Sequence, residues 1–255
     1  MKKFKVDNNN FIIYKQQEFP ESEFTIIYVH GLLSGMNSKK STFIEQYCIN
    51  KKINFVSFDN LGHGSSSLKI EECNISIWHD ALEKLIRGLN LSNLIIIGSS
   101  MGGWLSLIAA QNKDKKIVGT ILIAPAPDFT EWIDQKISKD QRDLLERSEV
   151  LIVRNKIPIT KQLIEDGKKN TIQTKEKIEI SHPVIILHGM DDDEVEHDVS
   201  LELTDKIEAP YVCTKLVKYT GHGFGRDEDI RVIINSIEEI MALRRSAQLA
   251  QLQSI

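Results

Sequence analysis

Cysteine is scarce in this 255-residue chain: Cys48, Cys73 and Cys213 stand far apart and form no CxxC pair. An odd, sparse set argues against a disulfide framework and fits a reducing compartment. Neither sign of charge dominates. The 32 basic and 36 acidic residues leave a formal net charge of −4, which gives no reason to expect nucleic acid or an anionic membrane as a partner. Long apolar runs are also missing. No stretch approaches the roughly 18 consecutive apolar residues of a membrane span, so stable membrane insertion is not expected. The opening MKKFKVDNNN leads from lysines into Asp and Asn rather than into an apolar segment, unlike a secretory signal. A cytoplasmic location is the expectation. There is no internal repeat and no low-complexity linker.

What is present is ordinary for a globular protein: 41% hydrophobic and 27% charged residues, on a chain long enough to bury a substantial core. Short β-branched runs recur at Phe24–Val29, Ile53–Phe58, Leu94–Ile97, Val118–Ile123 and Val184–Leu187, with Tyr211–Val217 as a further strand. Runs that are apolar on both faces suit a parallel sheet covered by helices on each side. Between and after them, Thr42–Asn50, Ile75–Leu89, Trp104–Gln111, Val199–Ile207 and Asp229–Leu243 have helical patterning. Strand and helix in alternation predict a doubly wound α/β fold. From Phe129 to Ser181 the alternation stops, and a gap of that length is too long for a simple connection. It is expected to be an inserted helical cap over residues 129–181, between two parts of one core, 1–128 and 182–255. The C-terminal stretch Ala242–Ile255 has an apolar spacing suited to packing on the core or on a second subunit; the oligomeric state is left open.

The chemistry begins at Gly98-Ser99-Ser100-Met101-Gly102, a G-x-S-x-G motif after an apolar strand and before a helix. Acyl transfer needs a serine oxygen held above the sheet on a tight strand-to-helix turn, and glycines two residues either side let the backbones approach. Ser99 lacks that framing. Such a nucleophile needs donors for the oxyanion on the attacked carbonyl. The Met101 N–H is one candidate. Leu32, in His30-Gly31-Leu32-Leu33-Ser34-Gly35 after an earlier strand, offers the second. His30 itself reads as a brace for this loop rather than a proton carrier.

In this arrangement the acid and the histidine follow the serine. After Val184–Leu187 comes His188-Gly189-Met190-Asp191-Asp192-Asp193-Glu194-Val195. One of its carboxylates is expected to orient the base, and composition alone leaves all four open. A solvated acidic turn or a metal loop would also produce such a cluster. Against metal, only His188 and His197 accompany it at all closely. Of the seven histidines only His197 and His222 lie beyond this loop. His197 is too near the acids to fold back over Ser100. His222 follows the last strand between two glycines, in Thr220-Gly221-His222-Gly223-Phe224. His63 reads as a turn residue.

Four motifs now stand in order: HG, D-x-x-G-x-G-x-S (Asp59 to Ser66), G-x-S-x-G-G and H-G-x-x-D-x-x-V. Together they resemble the α/β-hydrolase superfamily over essentially the whole chain. The resemblance implies that Asp192 is the catalytic acid and His222 the base. GSSMGGWL, HGMDDDEV and the His222 segment are similar to the mitochondrial abhydrolase-domain group of palmitoyl-protein thioesterases and acyl-glucuronide esterases. That implies hydrolysis of acyl thioesters or esters, on a small molecule or an acylated protein, without a cofactor. Related scaffolds cleave carbon–carbon bonds, peptides or lipid esters, and a non-catalytic binding module is the reading from another class. Epoxide hydrolases and haloalkane dehalogenases are disfavoured, since they carry an aspartate where Ser100 stands.

Overall fold

A computed structural model describes residues 1–112, 117–147, 149–154 and 156–253; Ser148, Asn155 and the last two residues of the C-terminal stretch are among those outside the described set. The chain runs β1 (Lys2–Lys5), β2 (Phe11–Gln17), β3 (Thr25–Val29), α1 (Lys39–Lys51), β4 (Asn54–Asp59), α2 (Ile75–Gly88), β5 (Leu94–Ser99), α3 (Met101–Ala110) and β6 (Ile117–Ile123). It continues through α4 (Phe129–Lys136), α5 (Lys139–Glu146), β7 (Leu151–Val153), β8 (Ile157–Ile159), α6 (Lys161–Gly167) and β9 (Ile178–Glu179). It ends with β10 (Val184–Gly189), α7 (Asp198–Lys206), β11 (Ile207–Glu208), β12 (Val212–Val217) and α8 (Asp227–Gln253).

Eight strands form the main sheet in the order β1-β2-β4-β3-β5-β6-β10-β12. β1 and β2 pair antiparallel, as do β2 and β4; every other neighbouring pair is parallel. β3, β5, β6 and β10 are buried along their whole length, because alternate residues feed two separate cores. Ile27, Val29 and Ile96 face Trp78, Leu82 and Leu105 of α2 and α3. Ile26, Tyr28, Ile95 and Ile97 face Ile44 of α1 and Ile233 and Ile237 of α8. This is the expected doubly wound sheet, with the crossover helices that parallel pairing requires.

The reading of the sequence did not anticipate β1 and β2. Nor did it anticipate the short strands between β6 and β10, where α4, α5 and α6 are interrupted by the antiparallel hairpin β7–β8. Asp128 ties this segment down. Its buried carboxylate accepts from the N–H groups of Ile172, at 2.9 and 3.0 Å, and Gln173, at 2.7 Å. Asp166 of α6 accepts from the Ser76 N–H and hydroxyl, each at 2.8 Å, at the start of α2. At the C-terminus α8 leaves the core after Met241, and Leu249 is 60% exposed. Among the described residues no helix is long and apolar enough to cross a membrane.

Candidate active site

Ser100 sits between the end of β5 and the start of α3 with φ 56° and ψ −120°, a conformation that costs a non-glycine residue about 1–3 kcal/mol. Neighbouring backbone holds it there. Its N–H donates to the Ile123 carbonyl at 2.9 Å, and its own carbonyl accepts from Gly103 at 2.8 Å and Ala126 at 3.1 Å. The glycines of the motif are required by contact. A Cβ on Gly102 would lie 2.1 Å from the Val29 carbonyl oxygen, and one on Gly98 would lie 2.3 Å from that of Gly102.

The loop after β3 passes directly beside the serine. A Cβ on Gly31 would stand 3.0 Å from the Ser100 Cβ. Two buried histidines shape this loop. His30 accepts the Asn60 N–H on Nε2 at 3.0 Å and contacts the Gly31 carbonyl through Nδ1 at 2.8 Å. His63 accepts the Leu33 N–H on Nε2 at 3.2 Å. Burial, reinforced by His63, pushes the His30 pKa down to about 3, so it serves as an uncharged brace. The Asp59 motif completes the frame: Asp59 Oδ1 accepts the Met36 N–H at 2.8 Å. Leu32 and Met101 line the same cavity as the serine, and the N–H of neither is taken up by another group among the described residues.

The acid loop follows β10. The Asp192 side chain is fully buried, and its Oδ1 accepts the N–H groups of Glu194 and Val195, both at 2.9 Å. Its Oδ2 meets Nδ1 of His222 at 2.8 Å and Nε2 of His188 at 3.2 Å. Burial alone would raise the Asp192 pKa, but the hydrogen bonds from His188, His222 and Val195 outweigh it and hold the carboxyl well below the usual carboxylate range. With Nδ1 of His222 committed to Asp192, Nε2 is the nitrogen left for other chemistry. His197 stands before α7 and takes no part.

Ser100, Leu32, Met101 and His222 line one cavity of about 560 Å³. Its walls include Phe129, Trp132, Ile133, Ile137, Ile152 and Ile157 from the segment between β6 and β10, and Lys136, Arg154, Lys156 and Glu194 add charge. The arrangement combines a strained serine, two N–H groups without a partner among the described residues, a histidine on a buried carboxylate and a chamber with an apolar wall and a charged margin. Among the described residues no group of three or more His, Cys, Asp or Glu is arranged to hold a metal ion. Reasoning from sequence missed His188 as a second partner of Asp192. Its spacing of four residues at the end of a strand was a signal available to it.

Comparison with known proteins agrees with this architecture. A family model described as alpha/beta hydrolase fold matches residues 25–159. The mouse (Mus musculus) mitochondrial palmitoyl-protein thioesterase ABHD10 is 30% identical over 222 residues, covering 85% of this chain and 74% of that protein. The solved structure of alpha/beta hydrolase domain-containing protein 10 from mouse superposes with a TM-score of 0.86 at 26% identity, covering 94% of this chain and 98% of that one. Est1E from Butyrivibrio proteoclasticus, solved with ferulic acid, reaches a TM-score of 0.82 at 15% identity over 96% of this chain and 100% of that one, a likeness of fold alone.

Proposed function

The chain belongs to the α/β-hydrolase fold family, and on that premise we propose that it is a serine hydrolase of carboxylic esters or thioesters acting through Ser100, His222 and Asp192. The observation that carries this reading is the 2.8 Å bond from His222 Nδ1 to buried Asp192, on a histidine that shares its cavity with the strained Ser100. Nε2 of His222 takes the Ser100 proton as Oγ attacks the acyl carbonyl. The N–H groups of Leu32 and Met101 receive the developing oxyanion. His222 then passes its proton to the leaving alcohol or thiol, leaving an acyl-serine. Water, deprotonated by the same nitrogen, releases the acid and restores Ser100. Asp192 keeps the imidazole in the useful tautomer and stabilises its charged form.

Residues 129–181 act as the cap in this reading, and Phe129, Trp132 and Ile133 offer the acyl chain an apolar wall. The palmitoyl-protein thioesterase name of the mouse relative favours a long acyl chain on a thioester, carried by a protein or a small molecule. The free cysteines Cys48, Cys73 and Cys213 fit a reducing compartment such as the cytoplasm; the mitochondrial destination belongs to the relative's name.

A p-nitrophenyl ester series from acetate to palmitate, run beside palmitoyl thioesters on wild type and Ser100→Ala, tests the proposal. Turnover should fall at least about 10³-fold in the variant, with wild-type Ser100 labelled by a fluorophosphonate. A preference for long chains or thioesters supports the thioesterase reading, and activity confined to short esters narrows it to a carboxylesterase. Turnover that survives Ser100→Ala overturns the mechanism.

A further inference from the structure

Lys40 lies in the first turn of α1, where that helix carries no acidic residue. A cation there opposes the helix dipole, so the position is unfavourable unless something else compensates. Its side chain lines the catalytic cavity, and its Nζ donates to the Gly223 carbonyl at 2.5 Å, a bond spanning 183 residues of sequence. Gly223 directly follows His222, and the space beside it is open: a Cβ built on it would meet nothing within 4 Å. The loop is anchored at its two ends. The Thr220 hydroxyl donates to Asp229 at 2.7 Å, and Phe224 is buried. Between those anchors, among the described residues, the His222–Asp192 bond, a looser His222–Glu194 pair at 4.0 Å and the Lys40–Gly223 bond join the loop to other elements.

We propose that Lys40 is a positioning residue that tethers the His222 loop through the Gly223 carbonyl and so keeps the imidazole aligned over Ser100. The proposal rests on the serine-hydrolase reading for its effect on turnover, and on geometry alone for its effect on the loop. The charged groups around the ammonium are Asp192 from the loop after β10 and Asp229 from α8, with His222 beside the tethered carbonyl. Adjacent Lys39 pairs with Asp227 at 3.8 Å. Burial lowers the Lys40 pKa to about 8, partly offset by Asp192 and Asp229. Above that pH the amine still donates, but without the strength a charge gives the bond.

The test compares wild type, Lys40→Met, Lys40→Arg and Ser100→Ala. Amide hydrogen exchange across residues 220–226 should be roughly tenfold faster in Lys40→Met and close to wild type in Lys40→Arg. On a p-nitrophenyl ester, Lys40→Met should lose about 10- to 100-fold in kcat with KM within about twofold, and Lys40→Arg should recover most of it. Wild-type kcat should decline above pH 8, and that decline should be absent from Lys40→Arg, which stays charged. Wild-type exchange rates in Lys40→Met overturn the tether, whatever happens to turnover. Turnover independent of Ser100 contradicts the hydrolase reading alone, because the exchange experiment reads the tether without it.

Discussion

Gly102 and Gly223 show how differently two glycines near one site are constrained. A methyl group at Gly102 would press on the Val29 and His30 carbonyl oxygens at 2.1 and 2.6 Å, both backbone atoms that no side-chain rotation can move. Gly102→Ala should therefore cost about 1–3 kcal/mol or more and displace the turn that carries Ser100. Gly223→Ala should leave stability within about 1 kcal/mol, since its surroundings are open. Thermal denaturation of both variants checks the pair, and equal losses would contradict the contact argument. Motif spacing pointed to Ser100 and the His222 loop, because strand-to-loop junctions keep a local signature. Asp192 was singled out from its acidic neighbours only by the family resemblance; the structure brings Asp192 and His222 within 2.8 Å. Lys40 and Asp128 were not legible. Their partners lie 183 and 44 residues away, and no local pattern encodes a contact of that range.

Among the elements, the strands buried on both faces were the plainest in sequence, since β-branched runs such as Ile95–Ile97 have no polar alternative. β2 was hidden because its Phe11–Gln17 run mixes apolar and polar residues at a partly exposed, antiparallel margin of the sheet. The strands β7 and β8, three residues each, are too short to establish a period of two. Asp128 closes the base of the segment that carries the intervening helices, and Asp166 ties α6 to the start of α2. Asp128→Ala would leave the Ile172 and Gln173 N–H groups without their acceptor, at a cost of about 2–3 kcal/mol. Proteolysis should then cut first between residues 129 and 181 while the sheet stays intact. Uniform loss of the whole fold would show that the segment is not separately anchored.

Over the whole molecule, stability should depend on pH through histidines buried without charge. Burial lowers His182 from 6.5 to about 4, and His30 falls further for the reason given above. The unfolded chain takes up these protons first, so stability is full above about pH 6.5 and is lost as pH drops toward 4. His182 alone accounts for roughly 3 kcal/mol of that loss. Asp192, whose carboxyl is held low in the folded state, adds a further loss below the usual carboxylate range. Urea midpoints at pH 7.5, 6 and 5 should fall in step, and His182→Gln should flatten the decline; an unchanged slope would remove His182 from the account.

Asp128 also bears on how such a protein can diverge. Asp128 follows β6 and holds Ile172 and Gln173 beside it, so the excursion between them is a closed loop whose ends are already together. Lengthening it costs little, because loop-closure entropy grows only slowly with length. Insertions or deletions between residues 129 and 171 that spare Asp166, Leu163 and Ile164, which pack on the main body, should thus leave the strand order and the Asp192–His222 pair unstrained. The walls that residues 129–157 give the cavity can therefore change in length and composition without moving the strands that precede Ser100 and Asp192.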